Sequence, residues 1–196
     1  SKALGFTAGF SGQELKRLLA ATGVAYDFID IPEGYTRINV KIAGAKETAI
    51  NGQGPHIGQQ ELELLLEQLK QLQSGDILDL SGSIPATLPK DVYEQIMQLV
   101  ADKDIKVVVD ATGELLLRVL KYHPFLIKPN HEELGDLFGL PPLETEAEIM
   151  YCAHKLQEQG ARNILVSRGA EGAILLDEKG VVRISSSPKG KLVNSV

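Results

Sequence analysis

Two spacings of apolar residues alternate along the chain, one with the repeat of a helix and one with that of a strand. Leu15, Leu18 and Leu19 share one helical stripe and predict a helix running to Gly23. Ser11 and Glu14 have the spacing of a capping box, which predicts Ser11 as its N-cap. Residues 24–50 change character: residues 26–31 read as a strand and Pro32-Glu33-Gly34 as a turn. From Thr36 to Ile42 the alternation is strict, with Ile38, Val40 and Ile42 on one side and Arg37, Asn39 and Lys41 on the other. Such a strand belongs to a sheet with one apolar and one polar face. Leucines return to helical spacing from Gln60 to Leu72, a short strand follows at 76–80, and Pro89 opens a helix ending near Asp102. The run Ile105-Lys106-Val107-Val108-Val109-Asp110 suits a strand buried on both faces. Helices are predicted at 112–122, from Asn130 onward and at 144–159, the last closed by Gly160, with strands at 125–128 and 163–167 between them. Residues 172–176 and 180–184 form a hairpin around Asp177-Glu178-Lys179.

After residue 55, then, helices and buried strands alternate. That pattern predicts an α/β fold with a mostly parallel sheet flanked by helices on both faces, and Val107, Val108, Val109, Ile127, Leu165 and Val166 buried inside it. Ligands of such sheets bind at the carboxyl ends of the strands. The places to look for chemistry are therefore residues 81–83, 110–113, 128–133 and 167–172, each of which follows a predicted strand.

Bulk properties narrow the function. The 196 residues suit one α/β domain with room for a small appended element, and the 43% hydrophobic and 23% charged composition is that of a globular protein. A net charge of -6 argues against a broad nucleic-acid-binding surface. No apolar run is long enough to span a membrane, and the first residues have no signal-peptide pattern. The single cysteine, Cys152, lies on a helical stripe with Ile149 and Leu156, which makes it a small core residue, and one thiol fits a reducing cytoplasm.

Five groups could carry chemistry, and each has a plainer alternative. Ser167-Arg168-Gly169-Ala170-Glu171-Gly172 either offers backbone N–H groups to a phosphate or is a glycine turn; it is not a Walker loop. In Lys128-Pro129-Asn130-His131-Glu132-Glu133, Asn130 could orient a phosphate and Glu133 hold Mg2+, or the pair could be an N-cap and N3 capping box; His131 is a solvated helix-start residue. Arg37, Asn39 and Lys41 either grip a sugar phosphate or form a solvated sheet face. Ser81-Gly82-Ser83 either bonds a sugar oxygen or is a loop, and Asp110 either faces the cleft or caps the helix that starts near Thr112.

Four segments in order carry a resemblance. Thr36-Arg37-Ile38-Asn39, Ser81-Gly82-Ser83-Ile84-Pro85, Ile127-Lys128-Pro129-Asn130-His131-Glu132-Glu133-Leu134 and Val166-Ser167-Arg168-Gly169-Ala170-Glu171-Gly172 resemble the ribokinase-type (PfkB) carbohydrate kinases, in particular their 1-phosphofructokinase branch, with tagatose-6-phosphate kinase as sibling. The resemblance implies a ribokinase-like fold with a core of residues 1–23 and 51–196 and a β lid at 24–50, whose apolar face pairs with a second subunit as a homodimer. It implies transfer of a phosphoryl group from ATP, with Mg2+, to a phosphosugar, fructose 1-phosphate becoming fructose 1,6-bisphosphate. Carried over by position, Arg37 and Lys41 take the substrate phosphate, Ser81 and Ser83 lie at the sugar, Lys128, Asn130 and Ser167 to Gly172 hold the nucleotide, and Glu133 is tied to Mg2+. The family also carries a Gly-Gly-Lys-Gly segment before the position of Ser1, and Asn-x-x-Gly-Ala-Gly-Asp, of which Asn194-Ser195-Val196 is the opening. The expectation is a chain truncated at both ends, without the general base and inactive alone. A non-catalytic nucleotide-binding or dimerising module is the alternative of another class.

Overall fold

The computed structural model describes residues 1–42 and 48–188. Its packing divides the chain into two units, one of Ser1–Gln71 with Ile84–Val92, the other of Leu72–Ser83 with Tyr93–Val196.

In the first unit β1 (Lys2–Ala8) and β2 (Ala25–Ile31) pair in parallel, joined by α1 (Gly9–Thr22), which Gly23 closes in the left-handed conformation. β1 is not among the strands that the spacing predicts. The predicted capping box at Ser11 does not form, because α1 already starts at Gly9 with Ala8 at its N-cap. Thr36 takes over that helix end. Its Oγ1 accepts from the Ala8 amide at 2.8 Å, while the Ser11 hydroxyl donates to the Thr36 carbonyl at 2.9 Å. Glu14 instead forks onto Arg17, an exposed pair, and its carboxyl is held below the usual range first by that hydrogen bond. The helical stripe is present, but Leu15 and Leu18 face outward and Gly12 is the buried position of α1. The strand expected from Thr36 is shorter: β3 (Asn39–Ile42) lies antiparallel to β4 (Thr48–Asn51). Residues 43–47, part of the expected lid, fall outside the described residues. Ile38, Val40, Ile42 and Ile50 are all about half exposed. α2 (Gln59–Lys70) follows where its leucines predict it, with Leu62 and Leu69 buried.

The second unit holds a six-stranded sheet in the order β10-β9-β8-β7-β6-β5. β5 (Ile77–Ser81), β6 (Lys106–Asp110), β7 (Leu126–Ile127) and β8 (Asn163–Ser167) run parallel; β9 (Ala173–Leu176) and β10 (Val182–Ser185) form the predicted antiparallel hairpin at the edge. The flanking helices are α3 (Val92–Val100), α4 (Gly113–Val119), α5 (His131–Leu137) and α6 (Glu146–Glu158). α3 starts three residues after Pro89, because residues 85–92 are spent in successive turns in which Leu88 and Val92 donate to the Pro85 and Pro89 carbonyls. One sheet face is sealed: Leu78 pairs with Val107, Leu80 with Val109, Val109 with Ile127, Ile127 with Ile164 and Ile164 with Leu176, all buried. Val108 and Leu165, expected to be buried, are only half-buried. The strand alternation puts them on the opposite face, where Ile77 and Asp79 are exposed. α6 buries Ile149, Cys152, Ala153 and Leu156, so the lone thiol is a core residue as its stripe predicts. Burial and then the charge of Glu148 push that thiol above its ordinary value.

Candidate functional site

The carboxyl ends of β5 to β8 gather most of the sequence candidates of the second unit along one edge. Ser81 and Asp110 are register partners at the last positions of β5 and β6. The chain leaving β7 stays on the same edge, since the Lys128 amide donates to the Val109 carbonyl at 3.2 Å. Lys128 Nζ lies 3.0 Å from Asp110 Oδ2, both side chains being about 40% exposed (41% and 39%). Asp110 therefore does not cap α4; Thr112 occupies that position and makes no side-chain cap. The ion pair holds the ammonium at the sheet edge at little energetic cost, because an accessible pair like this is worth only about 0–1 kcal/mol.

At the start of α5 the capping reading is realised. Asn130 Oδ1 accepts from the Glu133 amide at 2.8 Å, and Glu133 Oε2 accepts from the Asn130 amide at 2.9 Å. This does not use up either group. The Asn130 side-chain amide nitrogen and Glu133 Oε1 make no hydrogen bond among the described residues. His131, expected to be solvated, is half-buried, and its Nδ1 is buried without a hydrogen-bond partner among the described residues. The chain after α5 folds back over it, the Leu143 amide donating to the His131 carbonyl at 3.3 Å.

The two candidate phosphate-binding segments meet. Ser167 and Asn130 form an isolated parallel bridge, and the Ser167 amide donates to the Pro129 carbonyl at 3.1 Å. Beyond Ser167 the chain makes a single 3-10 turn at Gly169–Glu171, closed by the Arg168 amide on the Gly172 carbonyl at 2.8 Å. Gly172 is required there. Its φ of +94° is left-handed, and a Cβ would lie 1.9 Å from the Ser185 carbonyl oxygen of β10. The Arg168 side chain is only 12% exposed; it pairs with Glu171 in the same turn and, at 3.8 Å, with Glu146 at the start of α6. Gly169, Ala170 and Glu171 form the exposed tip.

Ser81 donates to Asp79 Oδ1 at 2.8 Å, and Ser83 is exposed. Two residues here were not singled out in the sequence. Asp79 is one, and the other is Tyr93, whose hydroxyl donates to the Gly82 carbonyl at 2.9 Å. Burial, with Asp79 and Asp110 adding to it, pushes the Tyr93 hydroxyl up to about 12. A tyrosine at the start of an apolar helix reads as core, so only the fold could single it out. Arg37 and Lys41 belong to the first unit, on the exposed polar side of the 37–42 segment, with Arg37 Nε donating to Asn39 Oδ1 at 2.7 Å. Among the described residues no three His, Cys, Asp or Glu side chains cluster as a metal site. Asn194-Ser195-Val196 lies outside the described residues.

Comparison with known proteins gives this edge a context. The chain is 45% identical over 196 residues to a 1-phosphofructokinase of Bacillus subtilis, covering 100% of the chain and 64% of that relative. It is 36% identical over 193 residues to a D-tagatose-1-phosphate kinase of Bacillus licheniformis, covering 98% of the chain and 63% of that relative. The chain thus spans somewhat under two thirds of the length of the curated relatives it matches. Among solved structures, phosphofructokinase-2 of Escherichia coli in complex with fructose-6-phosphate superposes with a TM-score of 0.85 at 26% identity, over 97% of this chain and 63% of that one. The expected ribokinase-like α/β fold is thereby borne out. The model of the pfkB family carbohydrate kinases matches residues 1–196, and the chain belongs to that family.

Proposed function

We propose that this protein is an ATP-dependent phosphosugar kinase that converts fructose 1-phosphate to fructose 1,6-bisphosphate. The observation that carries the reading is the junction at the sheet edge, where the segment with Lys128, Asn130 and Glu133 runs against the loop of residues 167–172. Phosphoryl transfer asks mainly for positioning and charge stabilisation, and this junction offers an ammonium, a side-chain amide and a backbone turn within one short stretch. In this reading Lys128 and the Asn130 amide nitrogen take phosphate oxygens of ATP, and the backbone of Ser167, Gly169, Ala170 and Gly172 lines the nucleotide. Arg168 and Glu171 stiffen that turn through their ion pair. Arg37 and Lys41 take the phosphate of the sugar, while Ser81 and Ser83 take its oxygens. None of the described residues is assigned as general base.

Mg2+ fits the donor set at Glu133. The ion commonly binds through one or two carboxylates together with water and substrate phosphates, so a three-residue protein cage is not required. Glu133 keeps one carboxylate oxygen outside its cap, beside the Asn130 and Lys128 segment. When bound, the ion neutralises charge on the transferring phosphates; Glu133 orients it, and the cap fixes Glu133.

Residues 24–50 act as a β lid, and their exposed Ile38, Val40, Ile42 and Ile50 pair with a second copy to give a homodimer. The setting is the cytoplasm, where the single thiol stays reduced. Incubation of the whole protein with MgATP and a panel of fructose 1-phosphate, tagatose 1-phosphate, tagatose 6-phosphate and fructose 6-phosphate, followed by ADP release, tests the reading. The highest kcat/KM is expected with fructose 1-phosphate. The Bacillus licheniformis relative favours tagatose 1-phosphate as a second reading, which a higher value for that sugar would select. ADP release unaffected by any sugar phosphate overturns both.

A further inference from the structure

The turn at residues 81–83 is held by a residue that contributes nothing to it in sequence. Gly82 has a φ of +94°, and no neighbouring atom lies within 4 Å of where its Cβ would be, so packing does not fix it. Two hydrogen bonds do. Its amide donates to the Asp110 carbonyl at 3.1 Å, and its carbonyl accepts from the Tyr93 hydroxyl at 2.9 Å. Tyr93 is itself only 8% exposed, in the first turn of α3. A phenyl ring would fill that space equally well, so the hydroxyl is explained by its bond. The chain leaves the second unit after Ser83 and returns to it at Tyr93. The Tyr93 bond therefore reaches from the point of return back to the residue beside the point of departure.

We propose that Tyr93 is a positioning residue for the phosphosugar: by holding the Gly82 carbonyl it fixes the flanking Ser81 and Ser83 in the orientation that meets the sugar. The inference rests on the kinase reading above. Glycine has more backbone freedom than any other residue, so tying its peptide groups limits how the flanking residues can turn. Asp110 ties the amide side to the end of β6, and Tyr93 ties the carbonyl side to α3. Burial and the two nearby carboxylates keep the Tyr93 hydroxyl protonated, and hence a donor, far into the alkaline range. The clamp is thus independent of pH wherever the enzyme would work.

The test is Tyr93→Phe in the whole protein. Loss of one ordering hydrogen bond is expected to raise KM for the sugar phosphate roughly three- to tenfold, with KM for ATP within about twofold of wild type. A general loss of structure would move both constants, so the split is the diagnostic reading. In parallel, amide hydrogen exchange on the substrate-free protein is expected to speed up at residues 82–84 in the variant and stay unchanged at 167–172. Unchanged sugar KM with unchanged exchange at 82–84 overturns the clamp. Faster exchange with an unchanged sugar KM leaves Tyr93 a structural tie and overturns its role in binding. A wild type inactive on every sugar phosphate overturns the kinase reading, and this role with it.

Discussion

Glu133 is asked to do two things, and a pair of substitutions separates them. Its Oε2 caps the Asn130 amide at 2.9 Å, while Oε1 is free of hydrogen bonds among the described residues and is the oxygen proposed to meet Mg2+. Glu133→Ala removes both functions. Loss of a cap costs about 1 kcal/mol, with a range of roughly 0.5–2. In a chain of this size each kcal/mol lowers Tm by roughly 2–4 °C, so the alanine variant should melt about 1–8 °C below wild type. Glu133→Gln keeps an uncharged acceptor for the Asn130 amide. It loses only the attraction between a carboxylate and the helix start, worth about 0.3–1 kcal/mol, so its Tm should fall by no more than about 1–4 °C. The charge that would attract Mg2+ is lost equally in both. Thermal melts with and without saturating MgATP read the two effects apart. Ligand at 100 times Kd stabilises the folded state by about 2.7 kcal/mol. The wild type should show that upward shift, and the glutamine variant should lose most of it while its ligand-free Tm stays near wild type. If Glu133→Gln keeps the full MgATP shift, the metal role is wrong. If it melts as low as Glu133→Ala, the cap does not work as its geometry indicates.

Three further outcomes follow from the packing. Gly172→Ala places a methyl against the Ser185 carbonyl from a left-handed backbone, which together should cost at least about 2 kcal/mol; urea unfolding checks it, and a midpoint equal to wild type would contradict the close approach. The Arg183 hydrogen bond, then the Val181 amide, hold the Asp177 carboxyl below the usual aspartate range. The unfolded chain therefore takes up the proton first as pH falls, so this stabilisation is complete above the ordinary aspartate value and disappears as pH drops through the lowered one. In Tm measured against pH, Asp177→Asn should flatten that acid limb while keeping the Lys179 and Val181 amides bonded to Oδ1; an unchanged limb would remove Asp177 as its cause. Val40→Lys on the exposed apolar strand face should shift the whole protein toward monomer in analytical ultracentrifugation, and an unaltered dimer would place its interface elsewhere.

Much of the second unit could be read from the chain because local pattern and tertiary demand agree there. The strands at β6 and β8, the β9–β10 hairpin and the helix stripe at Ile149, Cys152 and Leu156 each follow one rhythm that the sheet then uses. The failures have specific physical causes. Ser11 and Glu14 have cap spacing, but α1 starts two residues earlier at Gly9, and the Ser11 hydroxyl goes instead to the carbonyl of Thr36, far along the chain. Val108 and Leu165 sit in apolar runs that cannot reveal how well the second face is covered. Asn130 and Glu133 had two readings in the sequence, and the cap is built from one oxygen of each side chain, so forming it leaves the other reading chemically open. The guanidinium of Arg168 pairs with Glu171 and Glu146, partners that spacing alone does not single out. Tyr93 could not have been recognised, because its role depends on a carbonyl eleven positions earlier that only the crossing of the chain brings near.

The placement of Cys152 has a practical consequence. It is the only thiol in the chain, 1% exposed on the inner side of α6, with its ionisation pushed upward by burial. Alkylating reagents act on the thiolate, so in the closed state they meet neither an accessible nor an ionised sulfur. Covalent labelling must wait for α6 to lift from its packing, and one added mass records one such event. Within this chain, labelling of Cys152 thus times local opening of α6 without an engineered label. Run with and without nucleotide, it would report whether the proposed occupancy of the sheet edge slows the breathing of a helix whose first turn is tied to the loop by Arg168.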